Sequence, residues 1–146
     1  MLQEVHCSQE NSHLWVAEWG YKSLFSSFSS SKAGVRILFN SNFDLQIMKT
    51  YIDGSGRLIL CDLKTNGKSI TLTNIYAPNE DDLAFFKNLL DHLQDFEGDE
   101  IIIGGDLNLV VDVTVEKDKK GGRSKTHHNA QKAILEICDN LDLVDA

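Results

Sequence analysis

The stretch Ile101–Asn108 reads I-I-I-G-G-D-L-N. A short apolar run that stops at two glycines describes a buried strand ending in a tight turn. Asp106 and Asn108 follow with one residue between them. A carboxylate and an amide are thus expected close together just past a strand end, where open α/β sheets carry their chemistry. Asp supplies a hard anionic oxygen, and Asn a neutral donor and acceptor. The pair suits a phosphate with a divalent cation, or a water that must be aimed. Gly-Gly-Asp also makes an ordinary turn, so the rest of the chain has to decide.

The other elements follow from periodicity and turn chemistry. Gly34 opens a strand in which Val35, Ile37 and Phe39 share a face. Leu45–Ile52, Arg57–Leu63 and Ser69–Tyr76 read as three consecutive antiparallel strands. Asp53-Gly54-Ser55-Gly56 and Asn66-Gly67 are the turns between them. Pro78 stops the run. Asn79 is expected to cap a long helix with Leu83, Phe86, Leu89, Leu90, Leu93 and Phe96 as its apolar stripe. A helix capped by Ser8 is expected to reach Trp19, with Trp15 and Trp19 in the core. Ser26–Ser31 reads as a loop. A last helix carries Ala130, Ala133, Ile134, Ile137, Cys138 and Leu141, and Leu143-Val144 can start another strand. Antiparallel strands with inserted helices predict an α+β sandwich.

A chain of 146 residues, 42% hydrophobic and 25% charged, makes one domain with a real core. No apolar run approaches membrane-spanning length, and the N-terminus has no signal-peptide pattern. Cys7, Cys61 and Cys138 have no C-x-x-C spacing, which reads as free thiols in an intracellular, reducing compartment. The net charge of −8 argues against simple nucleic-acid binding by phosphate neutralisation. It leaves room for an acidic site that recruits a metal. The one basic stretch, Lys117 to Lys125, reads as a solvated loop.

Four features occur in order: Leu2-Gln3-Glu4, Asn74-Ile75-Tyr76-Ala77-Pro78-Asn79, Gly104-Gly105-Asp106-Leu107-Asn108, and the Leu141–Asp145 tail. Together they resemble the exonuclease–endonuclease–phosphatase superfamily. Trp15–Gly20, G-V-R-I-L-F and N-I-Y-A-P-N-E-D look closest to the endonuclease domain of LINE-type (non-LTR) retrotransposons. The resemblance implies a DNase-like, four-layer sandwich of two mainly antiparallel sheets flanked by helices, here partial. It implies Mg²⁺ (or Mn²⁺) as cofactor, DNA as partner, and a longer parent fused to a reverse transcriptase. It also allows a nuclear location. By the resemblance, Glu4 holds the metal and Tyr76 touches the scissile phosphate. Asp106 orients or deprotonates the attacking water, and Asn108 steadies the phosphate. Asn74 and Asn79 fall at positions near DNA or phosphate.

The family pattern also has an asparagine-bearing strand before Q-E, and a further aspartate and a serine-aspartate-histidine triplet after the last helix. Residues 1–146 do not contain them. His127 and His128 lack that context. The expectation is a single incomplete domain without nuclease activity in this form, with exposed sheet edges. Two alternatives are a catalytically dead remnant or interaction module, and a phosphatase or sphingomyelinase relative. Residue by residue, Glu4 also reads as an exposed strand position, Tyr76 as a core tyrosine with a wet hydroxyl, and Asn79 as a plain helix cap.

Overall fold

The computed structural model describes residues 1–6, 9–29, 32–109 and 128–144. The basic stretch, Cys7, Ser8 and His127 lie outside them, as does the side chain of His128. Among the described residues the fold is α+β, with six strands and three α-helices. It divides into two units, Met1–Ala77 with Leu93–Leu107, and Pro78–His92 with Asn108–Ala146.

The first unit is built on a mixed four-stranded sheet in the order β3 (Gln46–Ile52), β4 (Leu58–Thr65), β5 (Lys68–Tyr76), β6 (Glu100–Asp106). β3, β4 and β5 are consecutive and antiparallel, as the turns between them predict. Asn66 and Gly67 sit at φ 50° and 78°, the left-handed pair that a two-residue hairpin demands. β6 joins β5 in parallel, so its triple isoleucine lies beside Thr71–Thr73. The expected buried strand is only half-buried there: Ile102 is 45% exposed, because β6 is an edge of the described sheet.

A second, two-stranded sheet pairs β1 (Ser23–Ser26) with β2 (Val35–Leu38). β1 was not expected; its S-L-F-S is too short to show a period. The core lies between the sheets. Val35, Ile37 and Phe39 meet Ile59, Cys61, Leu63 and Tyr76, with Leu24, Ile47 and Leu72 at the margin. The buried Asp62 is fully engaged: Thr71 Oγ1 donates to it at 2.6 Å and the Glu97 backbone N–H at 3.2 Å. This fixes the loop that launches β6.

α1 (Ser12–Trp19) follows a 3₁₀ turn at Gln9–Asn11 and has no buried residue. Trp15 and Trp19 are therefore not core residues; they are 42% and 37% exposed. Eight residues ended by Gly20 in the left-handed region offer too little face to bury both indoles.

The second unit contains α3 (His128–Asn140) and all but the last two residues of α2 (Leu83–Gln94). Asn79 does not cap α2. Asp82 does, accepting from the Phe85 N–H at 3.1 Å, because the turn after Pro78 delays the helix. Asp81 instead caps α3, taking the N–H groups of Asn129 and Ala130 at 3.3 and 2.7 Å. Ala130, Ala133, Ile134 and Ile137 are buried, as their helical spacing predicts. Leu143 and Val144 form no strand.

Candidate active site

Residues 2–5 run along β2 without forming a full strand. Leu2 and Arg36 exchange both backbone bonds at 2.9 Å, and Val5 N–H reaches Gly34 O at 3.0 Å. Regular antiparallel pairing would put residue 4 opposite residue 34. One extra residue is accommodated, as in a β-bulge, and Glu4 takes a left-handed φ of 53°. That conformation costs a non-glycine residue about 1 kcal/mol or more. It persists because its neighbours on both sides are tied down.

Asn74 does much of the tying. It is fully buried on β5. Its Nδ2 donates to Leu2 O at 3.0 Å and Arg36 O at 2.8 Å, and its Oδ1 accepts from Gln3 Nε2 at 2.6 Å. One amide thus joins β5, β2 and the N-terminal segment. Two residues on, Tyr76 donates its hydroxyl to Glu4 Oε1 at 2.6 Å. That length is typical of a hydroxyl meeting a carboxylate.

Asp106 reaches this place through sheet register. It pairs with Tyr76 across the parallel ladder, and its carbonyl accepts from Ala77 N–H at 2.8 Å. Gly105 makes the approach feasible. Its φ is 144°, and a Cβ there would lie 2.0 Å from Ile75 O. Asp106 is exposed, like Glu4, while Tyr76 is buried.

Arg57, read from sequence only as a strand residue, completes the group. Its guanidinium stands 5.3 Å from the Tyr76 ring centre and donates from Nη1 to Tyr76 O at 3.2 Å. The only signal for it is its place just before β4, after a glycine-rich turn.

The Tyr76 hydroxyl is held above the ordinary phenol range. The hydrogen bond to Glu4 is the main cause, followed by desolvation and the Glu4 charge; Asp106 adds to the effect and Arg57 opposes it. Tyr76 is thus a proton donor at neutral pH. A phosphate oxygen arriving here would compete with Glu4 for the same proton.

Three of the expected residues, Glu4, Tyr76 and Asp106, therefore share one end of the β5–β6 ladder. Asn74 lies beneath them as a clamp. Asn108, at φ 50°, and the exposed Asn79 belong to the second unit. Among the described residues no three His, Cys, Asp or Glu side chains gather so as to hold a metal ion. One carboxylate oxygen of Glu4, Oε1, is engaged by the Tyr76 hydroxyl.

No protein-family model matches the chain. It is similar to the Transposon TX1 uncharacterized 149 kDa protein of Xenopus laevis, with 28% identity over 147 aligned residues. The match covers 99% of this chain and 11% of that protein, so the chain spans about a tenth of its relative's length. Among solved structures it is similar to D. rerio TDP2 complexed with a single-strand DNA product. The TM-score is 0.46 with 13% identity, over 72% of this chain and 46% of that one.

Proposed function

We propose that this chain is the central part of a DNA phosphodiesterase of the exonuclease–endonuclease–phosphatase kind, derived from a LINE-type retrotransposon. The observation that carries the reading is the meeting of Glu4, Tyr76 and Asp106, brought from three distant parts of the sequence to one strand end. The similarity to a transposon protein along nearly the whole chain supports the retrotransposon source.

In this reading the Tyr76 hydroxyl donates to a non-bridging phosphate oxygen, with Arg57 behind it as a fixed positive charge. Asp106 aims the attacking water. Asn108 keeps the role the resemblance gives it, as a phosphate donor. Glu4 stands at the family's metal-holding position, where its carboxylate would help to hold a divalent cation that neutralises the phosphate; among the described residues no group of three His, Cys, Asp or Glu gathers around it. Residues 1–146 contain neither the asparagine-bearing strand nor the serine-aspartate-histidine triplet of the family pattern, and alone they are expected to bind DNA without cutting it.

Two measurements on the purified chain test this. Supercoiled plasmid with Mg²⁺ is expected to stay intact, and nicking that disappears in Asp106→Ala would overturn the inactivity. Fluorescence anisotropy with a short abasic duplex is expected to show weak binding that drops in Tyr76→Phe. Absence of any binding would leave the second reading, a non-enzymatic remnant or interaction module, which the net charge of −8 favours.

A further inference from the structure

Arg36 is the largest side chain among the fully buried residues, at 1% exposure. Its neighbours Val35 and Ile37 point into the core with Tyr76, so strand alternation sends Arg36 to the opposite face of the small sheet. There its guanidinium lies 4.1 Å from the Trp15 ring centre and 5.7 Å from that of Phe25. Stacking engages the flat faces of the cation. It leaves the in-plane N–H groups unserved, and Nη1 and Nη2 are both buried with no hydrogen-bond partner. A buried cation without an anionic or hydrogen-bonding partner is strongly unfavourable. No carboxylate of the described chain answers it.

We propose that Arg36 is a phosphate-binding residue, closed in this structure under Trp15. The two Nη groups form the fork that grips two oxygens of one phosphate. α1 is suited to be the cover, because none of its residues is buried. Trp15 lies on the guanidinium, and Trp19 holds on by an Nε1–H donated to Phe39 O at 3.1 Å. Lifting Trp15 exposes the fork. Trp15, Trp19 and Tyr21 are each more than a third exposed and can stack a base beside a bound phosphate. A net charge of −8 favours a single phosphate over a long polyanion. The site is separate from the Glu4–Tyr76 pair and does not depend on the nuclease reading.

The chain has two tryptophans, so Trp19→Phe leaves Trp15 as the sole indole reporter. Its emission is titrated with inorganic phosphate, deoxyadenosine 5′-monophosphate and acetate at matched ionic strength. A saturable response to the two phosphates is expected, roughly tenfold to a hundredfold weaker in Arg36→Met. Tighter binding of the nucleotide than of inorganic phosphate identifies a nucleic-acid source, and equal binding a free phosphate. Two melting experiments complete the test. Arg36→Met is expected to melt higher than wild type without phosphate, since it removes the orphan charge, and to lose the phosphate-induced rise. Trp15→Ala is expected to show a larger phosphate-induced rise than wild type. Three results overturn the proposal: no response in either wild type or Trp15→Ala, acetate matching phosphate, or Arg36→Met melting lower with its phosphate response intact.

Discussion

The hydroxyl of Tyr76 and the carboxylate of Glu4 are 72 positions apart in sequence and 2.6 Å apart in space. Their bond raises the proton affinity of the phenol in the folded chain. The folded state therefore holds that proton more tightly than the unfolded state does. The stability it contributes is complete below the ordinary phenol pKa of about 10 and is lost as pH climbs through the raised value. Tyr76→Phe is expected to cost about 0.5–1.5 kcal/mol at pH 7. It should also flatten the fall in melting temperature above pH 10. Parallel alkaline melting curves for the two proteins would contradict the assignment.

Cys61 offers an independent check on the core. Burial, with a smaller push from Asp62, raises its thiol to about 11. At pH 8 only about a thousandth is then thiolate, and the side chain is fully covered by the sheet packing. Iodoacetamide labelling of native protein, read by peptide mapping, should modify Cys61 more slowly than the half-buried Cys138. Urea should erase the difference. Equal native rates would mean that the core between β2 and β4 is not closed.

Local chemistry explains which parts of this fold are readable from sequence. Asn66-Gly67 names its own hairpin, because left-handed φ values select those two residues. β5 alternates, β4 is a nearly continuous apolar run buried on both faces, and α3 repeats its alanines and isoleucines at helical spacing. Pro78 ends β5, yet the start of α2 slips from Asn79 to Asp82. Every residue from 79 to 82 is a capping type or an acid, so composition alone cannot choose. Trp15 and Trp19 read as core residues because indoles are usually buried, and nothing in the sequence says how little surface α1 has to cover. Of the site, Tyr76 and Asp106 were readable as strand-end polar residues, and Glu4 by its place in an ordered motif. Arg57 and the clamping role of Asn74 were not, since both depend on partners distant in the chain.

Two glycines should respond very differently to the same substitution. At Gly67, φ is 78° and nothing lies within 4 Å of an added Cβ, so Gly67→Ala carries only the left-handed backbone cost of about 1–2 kcal/mol. At Gly105 a Cβ would also enter the backbone of Ile75, 2.0 Å from its carbonyl oxygen. Neither strand can give way without breaking the ladder that sets Asp106 beside Tyr76. Gly105→Ala is expected to destabilise by roughly 4 kcal/mol or to prevent folding. Urea titrations of the two variants giving equal midpoints would show that β6 does not pair as described.

The clamp at Asn74 couples stability to the site, which makes it separable from an ordinary buried amide. Asn74→Ala removes the hydrogen bonds to Leu2 O, Arg36 O and Gln3 Nε2 at once. The two carbonyls keep their other backbone partners, since Leu2 and Arg36 still bond each other. The expected loss is therefore moderate, about 1–3 kcal/mol, and the variant should still fold. Residues 2–5 would then be held to β2 by backbone bonds alone, and the left-handed Glu4 would relax. Amide exchange in that segment should accelerate while β4 and β5 stay protected. Because Glu4 is the leading cause of the raised Tyr76 hydroxyl, the ultraviolet titration of that phenol should move back toward the ordinary range. Loss of stability with no movement of the Tyr76 titration would mean that Asn74 supports the sheet but does not position Glu4.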